Sequence, residues 1–257
     1  MTADDLAGRL TGRLFLSSMM GWCDAPFCAS RAKGCAMVQL GAYVTLEDYE
    51  ERDLYHPDPD PDRLTAFMRE QFDACREQAA AVAGADDVPL ISANVFPLTD
   101  EDVATSAEAF VEAGGDLYEL NSHGGIGNDR ERGTGAMLFI PEHRRKLMRW
   151  ARILVDAGGP VIIKARGSVI PDFTDHVREL EQIGVPVFHV NVRDAETKAP
   201  DLRLLEAIRK ATDMLLLASG FVTDAAGAKA MFDAGADCVG IAQAAIEDPD
   251  IFLKCAT

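Results

Sequence analysis

No apolar run in this 257-residue chain reaches the roughly 18 residues that a membrane-spanning helix needs. The amino terminus, MTADDLAGRL, is acidic and lacks the apolar stretch of a secretory leader. These absences predict a protein that works in the cytoplasm without crossing a membrane. Basic residues are also scarce: 25 Lys and Arg face 42 Asp and Glu, a formal charge of −17. Such a surface repels phosphate backbones. The one basic cluster, Arg144, Arg145 and Lys146, reads as a solvated helix turn, so direct nucleic-acid binding is not expected. The six cysteines form no CxxC and sit at no zinc-finger spacing with histidine. Several lie in apolar runs, as Cys238 does in ADCVGIA, which suits small buried thiols in a reducing compartment. No GxGxxG follows the first apolar run, which counts against a Rossmann domain.

What is present is an alternation of strand-like and helix-like segments. Apolar runs at 14–20, 36–40, 88–94, 116–121, 160–165, 186–191, 214–219 and 237–242 read as strands. Helical patterns fill the gaps at about 25–33, 64–82, 99–113, from Pro141 onward, and at about 171–183, 201–211 and 224–234. An acidic, proline-rich excursion occupies 47–61. Continuous apolar strands between amphipathic helices imply a parallel sheet covered on its faces. Eight such units in this length, with no linker, predict one (β/α)8 barrel domain, a TIM barrel, over 1–257.

In a barrel, the residues that end the strands face the active site. Those ends carry Ser18, Met19 and Met20, Gln39, Asn94, Asn121 to His123, Lys164 and Arg166, Asn191 and Arg193, Ser219 and Gly220, and Ala242 and Gln243. Three asparagines, a lysine and two arginines, with no run of carboxylates, suit an anionic or carbonyl-rich planar ligand and not a divalent metal. The turns after strands seven and eight, ASGF and IAQA, are of the small-residue kind that hold phosphate on backbone amides. Lys164 interrupts the apolar run VIIKA. It either snorkels to solvent, reaches a buried partner, or serves as a Schiff-base amine. His123 reads as a general acid, a hydrogen-bond donor to substrate, or a loop residue without a role. His189 reads as either a site residue or a satisfied core histidine, and Cys23 as a packed thiol.

The loop from Asn121 to Gly135, NSHGGIGNDRERGTG, is the longest glycine-punctuated stretch after a strand. It is expected over the carboxyl-end mouth of the barrel, with Gly124, Gly125 and Gly127 allowing φ > 0 or close approach to a ligand.

Four segments in order resemble the tRNA-dihydrouridine synthase family of flavin-dependent barrels, relatives of the dihydroorotate dehydrogenases. SSMMGWCDAPF resembles that family's APMAGVTDLPF, with Met19, Gly21, Asp24, Pro26 and Phe27 matching. ELN at 119–121 and GTGAML at 133–138 resemble DIN and GAGAAL. VIIKARG resembles VTVKIRLG through Lys164 and Arg166, and AGADCVGIAQAAIEDPDIF resembles GADGVMIGRGALGNPWIF. The resemblance implies FMN, with Met19 near the ring, Lys164 on the flavin or its ribityl chain, and Asn121 toward the substrate.

Departures from the family bear on function. Gly124 stands where the family has the cysteine that protonates the uracil ring. Asn191 replaces its histidine, Asn94 its flavin-contacting glutamine, and Ala242-Gln243 its phosphate-gripping Gly-Arg. With fifteen residues after the eighth strand, the family's carboxyl-terminal helical domain, which helps hold tRNA, is not expected here.

The expected function is therefore an FMN oxidoreductase that takes a small substrate and an electron donor, with Ser122 or His123 supplying the proton. Two alternatives stand beside it: a tRNA-dihydrouridine synthase that needs an RNA-binding partner, and a flavin-free scaffold. Phosphate at Ser219-Gly220 and Ala242-Gln243 without its arginine implies weakened FMN affinity. Lys164→Met is expected to lower the flavin potential while sparing the fold.

Overall fold

The computed structural model describes residues 1–45, 53–125, 129–194 and 196–256. Most of the acidic excursion's first half and Gly127 of the mouth loop lie outside the described residues. The chain opens on a helix that its acidic composition does not advertise, α1 (Ala3–Leu10), started by a reciprocal capping box between Thr2 and Asp5. The barrel strands are β1 (Arg13–Leu16), β2 (Met37–Val44), β3 (Leu90–Phe96), β4 (Leu117–Ser122), β5 (Val161–Arg166), β6 (Val187–Asn191), β7 (Leu215–Ser219) and β8 (Cys238–Ile241). Between them run α2 (Ala25–Ser30), α3 (Pro61–Ala83), α4 (Asp100–Glu112), the single turn α5 (Asp129–Arg132), α6 (Arg144–Asp156), α7 (Thr174–Ile183), α8 (Leu202–Arg209) and α9 (Ala225–Asp233). Two short helices, α10 (Ala244–Glu247) and α11 (Ile251–Cys255), follow β8.

All barrel pairings are parallel, and the ring closes where β1 pairs with β8 on one side and β2 on the other. The chain is a (β/α)8 barrel, and closure leaves no strand edge to protect. Two apolar layers hold it. Between sheet and helices lies a continuous core that includes Leu40, Phe110, Tyr118, Trp150 and Phe188. Inside the amino-terminal half of the barrel, a second cluster of Phe15, Met37, Leu90, Leu117, Ile162 and Val187 is plugged from below by Leu6 and Leu10 of α1. Those two leucines, one helical turn apart, are why α1 folds against the barrel.

Several element ends differ from the sequence pattern, among them β2, which runs on to Val44, and α2, which stops at Ser30. The first strand stops at Leu16, because Trp22 and Cys23 both donate backbone N–H bonds to the Met19 carbonyl and turn the chain there. The helix expected from Pro141 begins at Arg144, because Gly135–Phe139 forms a separate 3-10 turn ahead of it.

Candidate active site

Side chains alternate across a strand, so Leu117, Glu119 and Asn121 of β4 share one face while Tyr118, Leu120 and Ser122 share the other. Tyr118 turns outward, where its hydroxyl meets the Ser106 hydroxyl at 2.8 Å. Glu119 turns inward and is fully buried. It is the centre of a polar layer that fills the barrel above its apolar half. Lys164 Nζ lies 3.1 Å from Glu119 Oε1, and His189 Nδ1 lies 2.7 Å from Oε2. Gln39 Nε2 donates to Oε2 at 2.6 Å, and Asn94 Nδ2 donates to Oε1. His189 Nε2 lies 2.8 Å from Ser219 Oγ.

The protonation pattern follows from these contacts. Burial alone pushes a carboxyl up, but Lys164, His189 and the donated hydrogen bonds hold Glu119 far below the usual carboxylate range. Burial, together with the Lys164 charge, keeps His189 below its ordinary value despite Glu119. A carboxylate only accepts, so neutral His189 donates from Nδ1 to Glu119 and accepts at Nε2 from the Ser219 hydroxyl. Lys164, 3% exposed, does not snorkel to solvent; its ammonium is ion-paired to Glu119 and also reaches Ser18 Oγ at 3.2 Å and Ser17 Oγ at 3.4 Å.

Above this layer opens a cavity of about 340 Å3, within the range of small-molecule and cofactor sites. Met19, Asn121, His123, Lys164, Asn191, Ser219, Gly220, Ala242 and Gln243 all border it. Gln39 and Arg166 of the strand ends do not, nor do the expected site residues Asn94 and Ser122. Asn94 is buried one step below, donating to Glu119 and accepting from Asn121 Nδ2 at 2.9 Å, so it supports the floor without touching the cavity. Ser122 points away from the barrel axis by strand alternation, and its hydroxyl is buried on the far side, which removes it as a proton donor.

Asn121 shapes its own loop more than it faces a ligand. Its Oδ1 accepts from the backbone N–H of His123 at 3.2 Å and of Gly124 at 3.0 Å, while Nδ2 is tied to Asn94. The polar atom left over is His123 Nε2, buried and without a protein partner among the described residues. Burial, reinforced by Lys164 and Arg166, pushes the His123 pKa down to about 3. Of the roles open to it, imidazolium acid at neutral pH is excluded, and a neutral N–H donor or lone-pair acceptor remains.

Glycine needs fall elsewhere than the first pair. Gly133 and Gly135 take φ of +61° and +53°, whereas Gly124 and Gly125 are not in the left-handed region. A Cβ on Gly135 would collide with the Gly124 carbonyl and approach the Phe96 ring to 2.9 Å. Gly135→Ala is therefore expected to cost about 1–3 kcal/mol, combining left-handed strain with overpacking at the mouth. A urea midpoint unchanged from wild type would count against this loop anchor.

Three features at or beneath the cavity gain their roles only in the structure. Glu119 is a charge inside the strand LYELN that was not among the expected site residues, and it lies buried beneath the cavity. Arg193 borders the cavity from a two-residue hairpin, Arg193–Asp194 against Ala199–Pro200, with its guanidinium 5.3 Å from the Phe221 ring centroid. Phe221 itself sits at φ +54°, and Gly220 before it packs so closely on the Arg193 backbone that a Cβ would lie 2.7 Å from its nitrogen. Lys164 and Arg193 are the cations on the cavity wall. No carboxylate and no cysteine lines it among the described residues. Cys23, beside the opening, is fully buried and its sulfur accepts from the Met19 N–H at 3.1 Å.

The sequence matches no family model and no curated protein. Solved structures match its fold over nearly the whole chain. TcOYE with pHBA has a TM-score of 0.69 at 13% identity, covering 95% of this chain and 88% of that one. A variant of NCR from Zymomonas mobilis has a TM-score of 0.64 at 16% identity, covering 96% and 84%. The N-acetylmannosamine-6-phosphate 2-epimerase from Clostridium perfringens has a TM-score of 0.54 at 10% identity, covering 93% and 90%. At such identities the likeness is one of fold, and function rests on the site.

Proposed function

We propose that this protein is an FMN-dependent oxidoreductase that reduces or oxidises a small, planar, carbonyl-containing substrate with the help of a separate electron donor. The observation that carries the reading is the cavity wall. In a chain of formal charge −17, the cleft at the barrel mouth presents Lys164 and Arg193 and, among the described residues, no carboxylate. That is a site for a planar ligand with an anionic tail. Bound FMN would supply hydride transfer at its N5. Lys164 would hold the pyrimidine edge of the ring, Met19 would pack beside it, and Ser219-Gly220 with Ala242-Gln243 would border the phosphate. Arg193 supplies there the positive charge that Gln243 does not, so the loss of affinity inferred from Gln243 alone is offset. Likeness to TcOYE and NCR in fold supports the same reading.

His123, Gly124, Gly125 and Phe96 border the same cavity and would form its substrate side. The neutral His123 imidazole would donate a hydrogen bond to a substrate carbonyl. The four-segment resemblance to tRNA-dihydrouridine synthases supports flavin, yet the wall offers no cysteine among the described residues to protonate uracil, and the acidic surface disfavours tRNA. A small substrate fits both facts.

Denaturing the purified protein and weighing the released ligand tests the cofactor, with about one FMN per chain expected. A colourless protein that FMN titration leaves unchanged would point to the scaffold alternative. Restoration of dihydrouridine in tRNA of a synthase-deficient strain would point to the tRNA alternative. His123→Ala should keep FMN binding and slow reoxidation of the reduced flavin by substrate by about 10²-fold or more, the scale of one positioned donor. Equal slowing of reduction and reoxidation would remove His123 from the substrate side.

A further inference from the structure

We propose that Glu119 is a positioning residue that fixes the charge the site presents to its flavin, holding Lys164 under the cavity and cancelling most of its positive charge; this rests on the FMN reading. Four donors from four different strands converge on this one carboxylate: Gln39 of β2, Asn94 of β3, Lys164 of β5 and His189 of β6. Such convergence leaves Lys164 one orientation, with Nζ 3.1 Å from Glu119 and its remaining donors toward Ser17 and Ser18, which border the cavity. His189 adds no charge: burial holds the ring below its ordinary value, and its two contacts suit a neutral ring that donates to Glu119 and accepts from Ser219. The layer therefore carries one cation and one anion, both buried, where charges act strongly.

An unpaired lysine in this place would draw electrons into the flavin, since a reduced flavin gathers negative charge along its N1–O2 edge. The paired lysine exerts a weakened field, and a donor now directed at Ser17 or Ser18 would turn to the flavin edge. Glu119 touches neither flavin nor substrate; it acts through Lys164.

The test is a double-mutant cycle on the flavin-loaded protein, read by sulfite. Sulfite adds through its sulfur lone pair to N5 of oxidised flavin, and the displaced electron pair settles on the N1–C2–O2 edge without a proton. Its affinity thus reports the charge near that edge. With wild type shown first to bind FMN, Glu119→Gln is expected to tighten sulfite about tenfold or more, and Lys164→Met to weaken it about tenfold or more. The double variant, which loses both charges, should return to within about threefold of wild type. The flavin reduction potential should move in the same order. Glu119→Gln with full FMN occupancy and sulfite affinity within about threefold of wild type would overturn the proposal. Should Glu119→Gln fail to fold, the double variant decides, and sulfite binding there as weak as in Lys164→Met overturns it too. A wild-type protein that binds no FMN removes the FMN reading itself and this proposal with it, whereas full FMN binding with a flat cycle removes this proposal alone.

Discussion

Lys164→Met is expected to destabilise the folded protein by about 3–5 kcal/mol, the range for removing one partner of a buried ion pair. Methionine matches lysine in length and apolar stem, so little packing is lost. The cost comes from Glu119, which is 0% exposed and would keep its negative charge with Lys164 gone and only His189, Gln39 and Asn94 as donors. A substitution that looks fold-neutral on the strand alone is therefore not neutral in the barrel. Adding Glu119→Gln should recover much of the loss, because a neutral amide beside an apolar side chain avoids the stranded charge. Urea unfolding of wild type, the two single variants and the double variant measures this. A Lys164→Met midpoint within about 1 kcal/mol of wild type would show that the pair adds nothing to stability.

The barrel was legible because each strand is a continuous apolar run and each gap has a helical period. A parallel sheet covered on both faces demands both features. Lys164 was legible for the complementary reason, as a charge inside VIIKA. The same logic applied to YELN singles out Glu119, also a charge within an apolar strand. What the sequence does not display is register. Asn121 pairs with Lys164 in the ladder, which sets Glu119 two residues deeper on the same face, where a long lysine side chain reaches back to it. Strand periodicity alone separates Asn121, pointing in, from Ser122, pointing out. Gly135 was less legible than Gly124, because its need for glycine lies in a positive φ and in the Phe96 ring and Gly124 carbonyl standing where a Cβ would go. Arg193 was legible as a strand-end residue after β6, but not as the cation for the phosphate side. The phosphate-site cation was sought after β8, and a short hairpin together with Gly220 brings Arg193 to the same wall.

Acid should unfold this protein unusually steeply, and the histidines are the reason. His123, His176 and His189 all have pKa values lowered from the ordinary 6.5, chiefly by burial. His176 lies against the Phe139 and Phe173 rings, where a positive charge would be poorly solvated. In the unfolded chain each takes up a proton as pH falls through about 6.5, while the native state refuses it. The native state therefore binds fewer protons than the unfolded state, and stability present above pH 6.5 is lost as pH falls toward the folded values. Each withheld proton costs about 1.4 kcal/mol per pH unit, so three together approach about 4 kcal/mol per unit where all are withheld. His123, with its folded value near 3, contributes through the whole window from 6.5 down to about 3. Glu119 acts in the same direction below its unfolded value of about 4.3, since its folded pKa is also depressed. Urea midpoints measured at pH 7, 6 and 5 should fall at each step and faster between 6 and 5. His123→Gln, which removes one titrating ring, should flatten the slope between pH 6 and 4.5 by about 1.4 kcal/mol per unit. Parallel pH profiles for wild type and His123→Gln would mean that His123 protonates freely in the native state. The neutral hydrogen-bond donor assigned to the substrate side would then fall as well.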